Sequence, residues 1–360
     1  MTYKELFYFT GHCLALDEHP LFRERVIELF ADARNIQNST FKIQNFIQLC
    51  SDHLIIPAIY LKLKAHDILK YLPEDFIQAF KEIYDLNRER NQQILRQIDD
   101  ITAVLNKENI QPVFLKGAAN LLDGIYSDVG ERMIGDIDFL VKEEDYFRTA
   151  AILEGKGYKH DEIYYTDLKS RKHYPSLCKE GEIAPVEIHW LPVRHEHTGQ
   201  YNAGVVLRDQ KAVPEKPGLY VPSDEHKLIH TFIHDQLEDR GYAYKQSSFR
   251  GLYDLYLLSK RIDVTSLVDQ TGYRKKAISW LVFAQRVLDI PNKFYTSEPR
   301  SAKWFCLKYE LALTYVRIHN TYISLKIGKR YSIRVLKAIF NTNERLYVYR
   351  RLKYSKWYLR

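Results

Sequence analysis

The sequence predicts an α+β fold, a small mixed-sheet core flanked by N-terminal and C-terminal helical regions. Three observations predict it. Apolar residues recur every three or four positions up to about residue 108. Between about 109 and 221 short apolar runs alternate with turns bounded by glycine and proline. After Pro222 the helical spacing returns. The expected regions are therefore a helical one over 1–108, a mixed core over 109–221, and a helical one over 222–360 with a basic, aromatic tail. At 360 residues, 46% hydrophobic and 28% charged, the chain is long and apolar enough to bury a substantial core.

The elements follow in order. FKIQNFIQLCSDHLIIPAIYLKLKAHDIL reads as short helices, and PEDFIQAFKEIYDLNRERNQQILRQIDDITAVLNKE as one long amphipathic helix opened by Pro73 and two acids. IQPVFLKG is a short buried strand ending in glycine, AANLLDGIY a short helix, and MIGDIDFLV the next strand. EEDYFRTAAILEGKG returns to helix. KHYPSLCKEGEIAPVEIHWLPV reads as a hairpin turning near Glu180, Gly181 and Glu182. SDEHKLIHTFIHDQL, SFRGLYDLYLLSKR and KKAISWLVFAQRVL each carry the helical period.

Several classes are disfavoured at once. The N-terminus lacks a basic start followed by an apolar run, and no stretch of about 18 apolar residues exists, so neither export nor a membrane span is expected. Cys13, Cys50, Cys178 and Cys306 lie far apart without a CxxC pair, which suits reduced thiols in a cytoplasmic protein. The net charge of +7 is concentrated in residues 301–360, which hold 14 Lys or Arg against two acids. Basic and aromatic together, as in RLYVYRRLKYSKWYLR, they suit RNA or another anionic partner; a solvated helical face with inward tyrosines is the plainer alternative.

Within GERMIGDIDFLV, Asp136 and Asp138 share one face of the strand while Ile137, Phe139 and Val141 share the other. Two carboxylates so close repel each other, and a divalent metal is the most economical reason to keep both. A third acid, Glu187 in VEIHW, completes the set if its strand is a neighbour, with His189 as a hydrogen-bonding support. Gly117 in LKGAA lets backbone approach a phosphate. His226, His230 and His234 recur every four residues, and His195 and His197 bracket Glu196, but HExxH is absent and zinc is not expected. Arg250 and Asp254, at i and i+4, are expected to pair on one helix.

LKGAANLLDGIYSDVGERMIGDIDFLV followed by VEIHW resembles the uncharacterised nucleotidyltransferase family of the polymerase-beta-like superfamily, distantly related to aminoglycoside nucleotidyltransferases. The strongest similarity covers about 112–190. It implies a nucleotidyltransferase core with Asp136, Asp138 and Glu187 as catalytic metal ligands and with Lys116, Gly117, Ala118 and Arg132 at the nucleotide. His189, His230, His234 and Asp254 are implied as possible pocket residues. Where the superfamily usually has Gly-Ser, this chain has Gly117 and Ala118, so a phosphate-holding hydroxyl is missing.

The activity so implied moves a nucleoside monophosphate from an NTP, ATP among them, to a hydroxyl of a small molecule, an RNA end or a protein, with release of pyrophosphate. Two Mg²⁺ ions, or Mn²⁺ in their place, would sit about 3.5–4 Å apart between the carboxylates. The alternative is a catalytically silent, helical nucleotide- or nucleic-acid-binding scaffold.

Overall fold

The computed structural model describes residues 1–33, 43–160, 171–199, 201–214, 216–290, 294–342, 345 and 348–349. Most of the tail segment RLYVYRRLKYSKWYLR lies outside the described residues.

The N-terminal helices are α1 (Tyr3–Leu14), α2 (Pro20–Ala33), α3 (Ile43–Asp52), α4 (Ile56–Ala65) and the 34-residue α5 (Glu74–Lys107). Pro73 caps α5, and Glu74 and Asp75 in its first turn suit the positive end of the helix dipole. Its inner stripe includes Phe80, Ile94, Ile98, Ile101 and Leu105, as the sequence spacing predicts, but also three buried amides, Asn87, Asn91 and Gln97.

The core that follows consists of β1 (Val113–Phe114), α6 (Lys116–Leu122), β2 (Ile137–Leu140), α7 (Tyr146–Gly155), β3 (Lys159–His160), β4 (Leu177–Cys178), β5 (Val186–His189), α8 (Ala203–Arg208), β6 (Lys211–Ala212) and β7 (Tyr220–Val221). Its seven strands lie in the order β3-β4-β5-β2-β1-β7-β6. The sheet is mixed: β2 runs parallel to β5 and antiparallel to β1, while β1 runs parallel to β7. The expected hairpin is present, β4 pairing antiparallel with β5 after a turn in which Gly181 takes φ +84°, the left-handed conformation that glycine adopts without a steric penalty. β2 is buried along its whole length, so the carboxylate of Asp138 is enclosed and not on a solvated face.

The C-terminal helices are α9 (Asp224–Phe232), α10 (Gly241–Tyr244), α11 (Phe249–Ser259), α12 (Leu267–Gln270), α13 (Arg274–Leu288), α14 (Arg300–Thr314) and α15 (Val316–Phe340). A single π-helical turn, Ile233–Glu238, continues α9. α13 is buried around almost its entire circumference and is the central post of this region. The fold is thus α+β with helical flanks, as the periodicities predict. One continuous apolar core runs from Leu6 to Leu313. Among the described residues Cys13, Cys50, Cys178 and Cys306 form no disulfide.

Candidate active site

The register of β2 against β5 builds the site. Asp138 lies directly opposite Glu187, and Leu140 opposite His189, on parallel strands. Alternation then places Asp136, Asp138, Glu187 and His189 on one face. Ligand atoms of Asp138, Glu187 and His189 all fall within 4.8 Å of one another, the metal-capable group found among the described residues. His189 is fully buried; its Nε2 lies 2.8 Å from Asp138 Oδ1 and 3.6 Å from Glu187 Oε2, and Nδ1 faces the Leu191 carbonyl. The sequence predicts His189 as a hydrogen-bonding support; the structure puts its imidazole within the acid cluster. Asp136, half-buried at the entrance to β2, is not one of that closest three.

Lys116, at the start of α6, answers the charge of this cluster. Its ammonium lies 2.5 Å from Asp138 Oδ1. The residue holds a positive φ of +51°, which for a non-glycine costs on the order of 1 kcal/mol and recurs at functional sites. Burial would raise the Asp138 pKa, but Lys116 and the hydrogen bond from His189 outweigh it and hold the carboxyl well below its usual range. Glu187 is also lowered, its own burial being outweighed mainly by His189. Asp136 goes the other way, raised first by the charge of Asp138 and then by burial.

Beside the cluster lies a cavity of roughly 240 Å³ whose walls include Lys116, Gly117, Arg132, Asp136, Lys227, His230, His234, Arg250 and Asp254. Four of these are cations. A Cβ added at Gly117 would meet Ile134 Cγ1 at 3.2 Å, a contact that a side-chain methylene can yield, so packing alone does not require glycine there. Ala118 instead is buried in the core, 1% exposed.

Arg132 is held tightly. Its Nε and Nη2 bond Asp254 at 3.2 and 3.1 Å, Nη1 bonds the Met133 carbonyl, and the Tyr126 hydroxyl donates to Asp254 at 2.8 Å. The pair expected between Arg250 and Asp254 is therefore not made; Asp254 takes its bidentate partner from the loop before β2. Among the described residues Arg250 has no carboxylate partner and makes only a 3.5 Å contact with the Met133 carbonyl, which leaves its guanidinium facing the cavity. Spacing along α11 concealed this residue by suggesting a local pair. Nothing in the sequence singles out Lys227, which is buried and bonded to Asp123 and Asp224.

His230 is 3% exposed, and neither ring nitrogen has a partner among the described residues. Burial, with Lys116 and Lys172 nearby, holds it well below the usual histidine range, so a neutral imidazole lines the cavity. His226 pairs with Asp209 and His234 with Asp239, so the three histidines of this helix do not converge on one ion.

The loop that delivers Asp136 is clamped by α5. Asn87 Nδ2 donates to the Gly130 and Arg132 carbonyls, and Asn91 Nδ2 to those of Val129 and Arg132. Arg90 reaches the Gly135 and Ile183 carbonyls. Gly130 is required here, since a Cβ would come within 2.8 Å of Tyr84 and Arg88 on α5. Glu131 turns inward to Tyr253 and Ser127 and is a structural member of the loop.

A mixed sheet that sets carboxylates from two adjacent strands beside a cation-lined cavity defines a site suited to a metal ion and a polyanion. The model of the uncharacterised nucleotidyltransferase family matches residues 39–292, and the chain belongs to that family, which makes it a nucleotidyltransferase by class. No curated protein matches. The chain is also similar to JHP933 from Helicobacter pylori, whose crystal structure aligns at 14% identity over 66% of this chain and 98% of that one; at its TM-score of 0.30 the likeness carries no structural inference.

Proposed function

We propose that the protein transfers a nucleoside monophosphate from an NTP to an acceptor hydroxyl, with Mg²⁺ held at Asp138, Glu187 and Asp136. The observation that carries the reading is the direct pairing of Asp138 with Glu187 across parallel strands, with Asp136 on the same face and the cation-lined cavity alongside. The donor set fits: clustered carboxylates are hard oxygen ligands suited to Mg²⁺, and the His189 imidazole makes Mn²⁺ a ready substitute. When bound, the metal supplies Lewis-acid polarisation of the α-phosphoryl oxygen.

The chain's own residues do the rest. Arg250 and Lys116 neutralise phosphate charge, Arg250 by its free fork and Lys116 as a point charge. Arg132, committed to Asp254, acts as a fixed positive wall. His230 offers a neutral ring nitrogen to the ligand. As the acceptor oxygen bonds to the α-phosphorus, the bond to the β-phosphate bridge breaks and pyrophosphate leaves. The hydroxyl proton passes to a carboxylate of the cluster, Glu187 or Asp136.

The acceptor is a small molecule, an RNA end reached through residues 301–360, or a protein hydroxyl. A second cavity of roughly 390 Å³ shares Asp235, Asp239, Ser248 and Arg250 with the first, and two adjoining concave clefts of this size favour a small molecule. The test is pyrophosphate release from each of four NTPs, ATP first, with Mg²⁺ and a cell extract, comparing the native chain with Asp138→Ala. A fall of about a hundredfold or more is expected. Release that survives the substitution would sink the metal assignment, and nucleotide binding without turnover would point to a silent scaffold. Sorting an α-phosphate label among protein, RNA and small-molecule fractions names the acceptor class.

A further inference from the structure

We infer that α15 is an interfacial helix that seats the protein on an anionic lipid surface. Its inner side is marked by Ile323 and Ala338, the two residues of α15 that are buried. On the opposite side Ile318, Tyr322, Leu325, Ile333, Leu336 and Phe340 fall within an arc of about 80°, taking roughly 100° per residue. All are exposed, Ile318 at 70%, Leu325 at 69%, Leu336 at 62% and Phe340 at 90%. Isolated exposed apolar residues are ordinary, but a stripe along a helix of about 37 Å marks a surface that something covers.

Charge says what covers it. α15 carries six Lys or Arg and no acid. Lys326, Arg330 and Lys337 line one flank of the stripe, and Lys329, which interrupts it, has a stem long enough to place its ammonium at a headgroup. A second copy of this chain laid on the stripe would oppose like charges. RNA would satisfy the cations and leave the exposed isoleucine, leucine and phenylalanine in water, since stacking on bases needs aromatic faces and most of this stripe is aliphatic. An anionic bilayer surface satisfies both.

The groove between α14 and α15 has the same chemistry. It is an open groove of roughly 520 Å³, its apolar lining includes Leu311, Tyr315, Ile318 and Tyr322, and its charged lining is Lys245, Lys308 and Lys326 without a carboxylate. Burial, with Lys308 and Lys326 as neighbours, lowers Lys245 to about 8, a crowding that an anionic headgroup would relieve. Among the described residues no helix is long and apolar enough to cross a membrane, so the contact is with the surface.

The inference stands apart from the transferase reading and is tested without it. The full chain is floated with vesicles of phosphatidylcholine alone and of phosphatidylcholine mixed with phosphatidylglycerol. Co-flotation with the mixed vesicles only is expected, and Leu325→Glu with Leu336→Glu should lower the bound fraction roughly tenfold or more. Both positions are exposed, so the circular-dichroism melt of the double variant should match that of the native chain. Failure to float with anionic vesicles, or flotation unaffected by the double substitution, overturns the inference. So does a double variant whose defect is instead loss of RNA binding or of a dimer seen by light scattering.

Discussion

Two arginines in the cavity wall look alike in the sequence and differ in the structure. Arg132 and Asp254 are both nearly buried and bonded through a bidentate fork, so removing the guanidinium strands a buried carboxylate. Arg132→Ala should lower stability by about 3–5 kcal/mol in denaturant titration. Arg250 has no such bond to lose. Arg250→Ala should leave the melt nearly unchanged and raise the KM for nucleotide roughly ten- to hundredfold, with partial recovery in Arg250→Lys. Equal stability losses in the two variants would contradict this division. The sequence could not make the distinction. Spacing of i and i+4 on α11 offers Arg250 to Asp254, whereas the partner that wins arrives from 122 residues away with better geometry and the Tyr126 hydroxyl beside it.

Among the elements, those with a strong period were legible and those defined by long-range pairing were not. The extent of α5, the strand carrying Asp138, the hairpin before Glu187 and the helices after Pro222 all follow from spacing, proline and glycine. The pairing of β2 with β5 does not, because each run offers only four residues and their register depends on the whole sheet. Nor does the grip of α5 on the loop before β2, since Asn87 and Asn91 in NRERN read as ordinary polar positions of an exposed face. Together they make four hydrogen bonds to loop carbonyls. Asn87→Ala with Asn91→Ala leaves those buried acceptors unpaired, at about 1–3 kcal/mol each before relaxation. The loop they hold ends at Asp136, so the double variant should need a higher Mg²⁺ concentration for half-maximal turnover, while single-site nucleotide binding changes less. A normal Mg²⁺ dependence would show that the loop keeps its shape without α5.

At the scale of the whole molecule, the three regions read along the chain share one core in space. Phe7 on α1 packs against Phe249, Phe283 and Tyr309, and a Cβ at Gly11 would come within 2.3 Å of the Val287 carbonyl, so the first helix closes directly on α13. This closure buries titratable groups of opposite kind. Burial raises Asp235, which walls both the first and the second cavity, to about 6, against an unfolded value near 3.9. Burial lowers His12 and His53 to about 4, against about 6.5 unfolded. The signs follow from linkage. A raised carboxyl contributes stability that is present below about pH 4 and lost as pH rises through 6, whereas the lowered histidines lose stability as pH falls from 6.5 toward 4. The Asp235 contribution is isolated by Asp235→Asn, which keeps the side-chain shape and cannot ionise. Relative to the native chain, the variant should gain on the order of 3 kcal/mol between pH 4 and pH 7 in urea titrations, because only the native chain pays for a buried charge over that interval. A difference that stays flat across the interval would mean that Asp235 keeps its proton, or its solvent, equally in the folded and unfolded states.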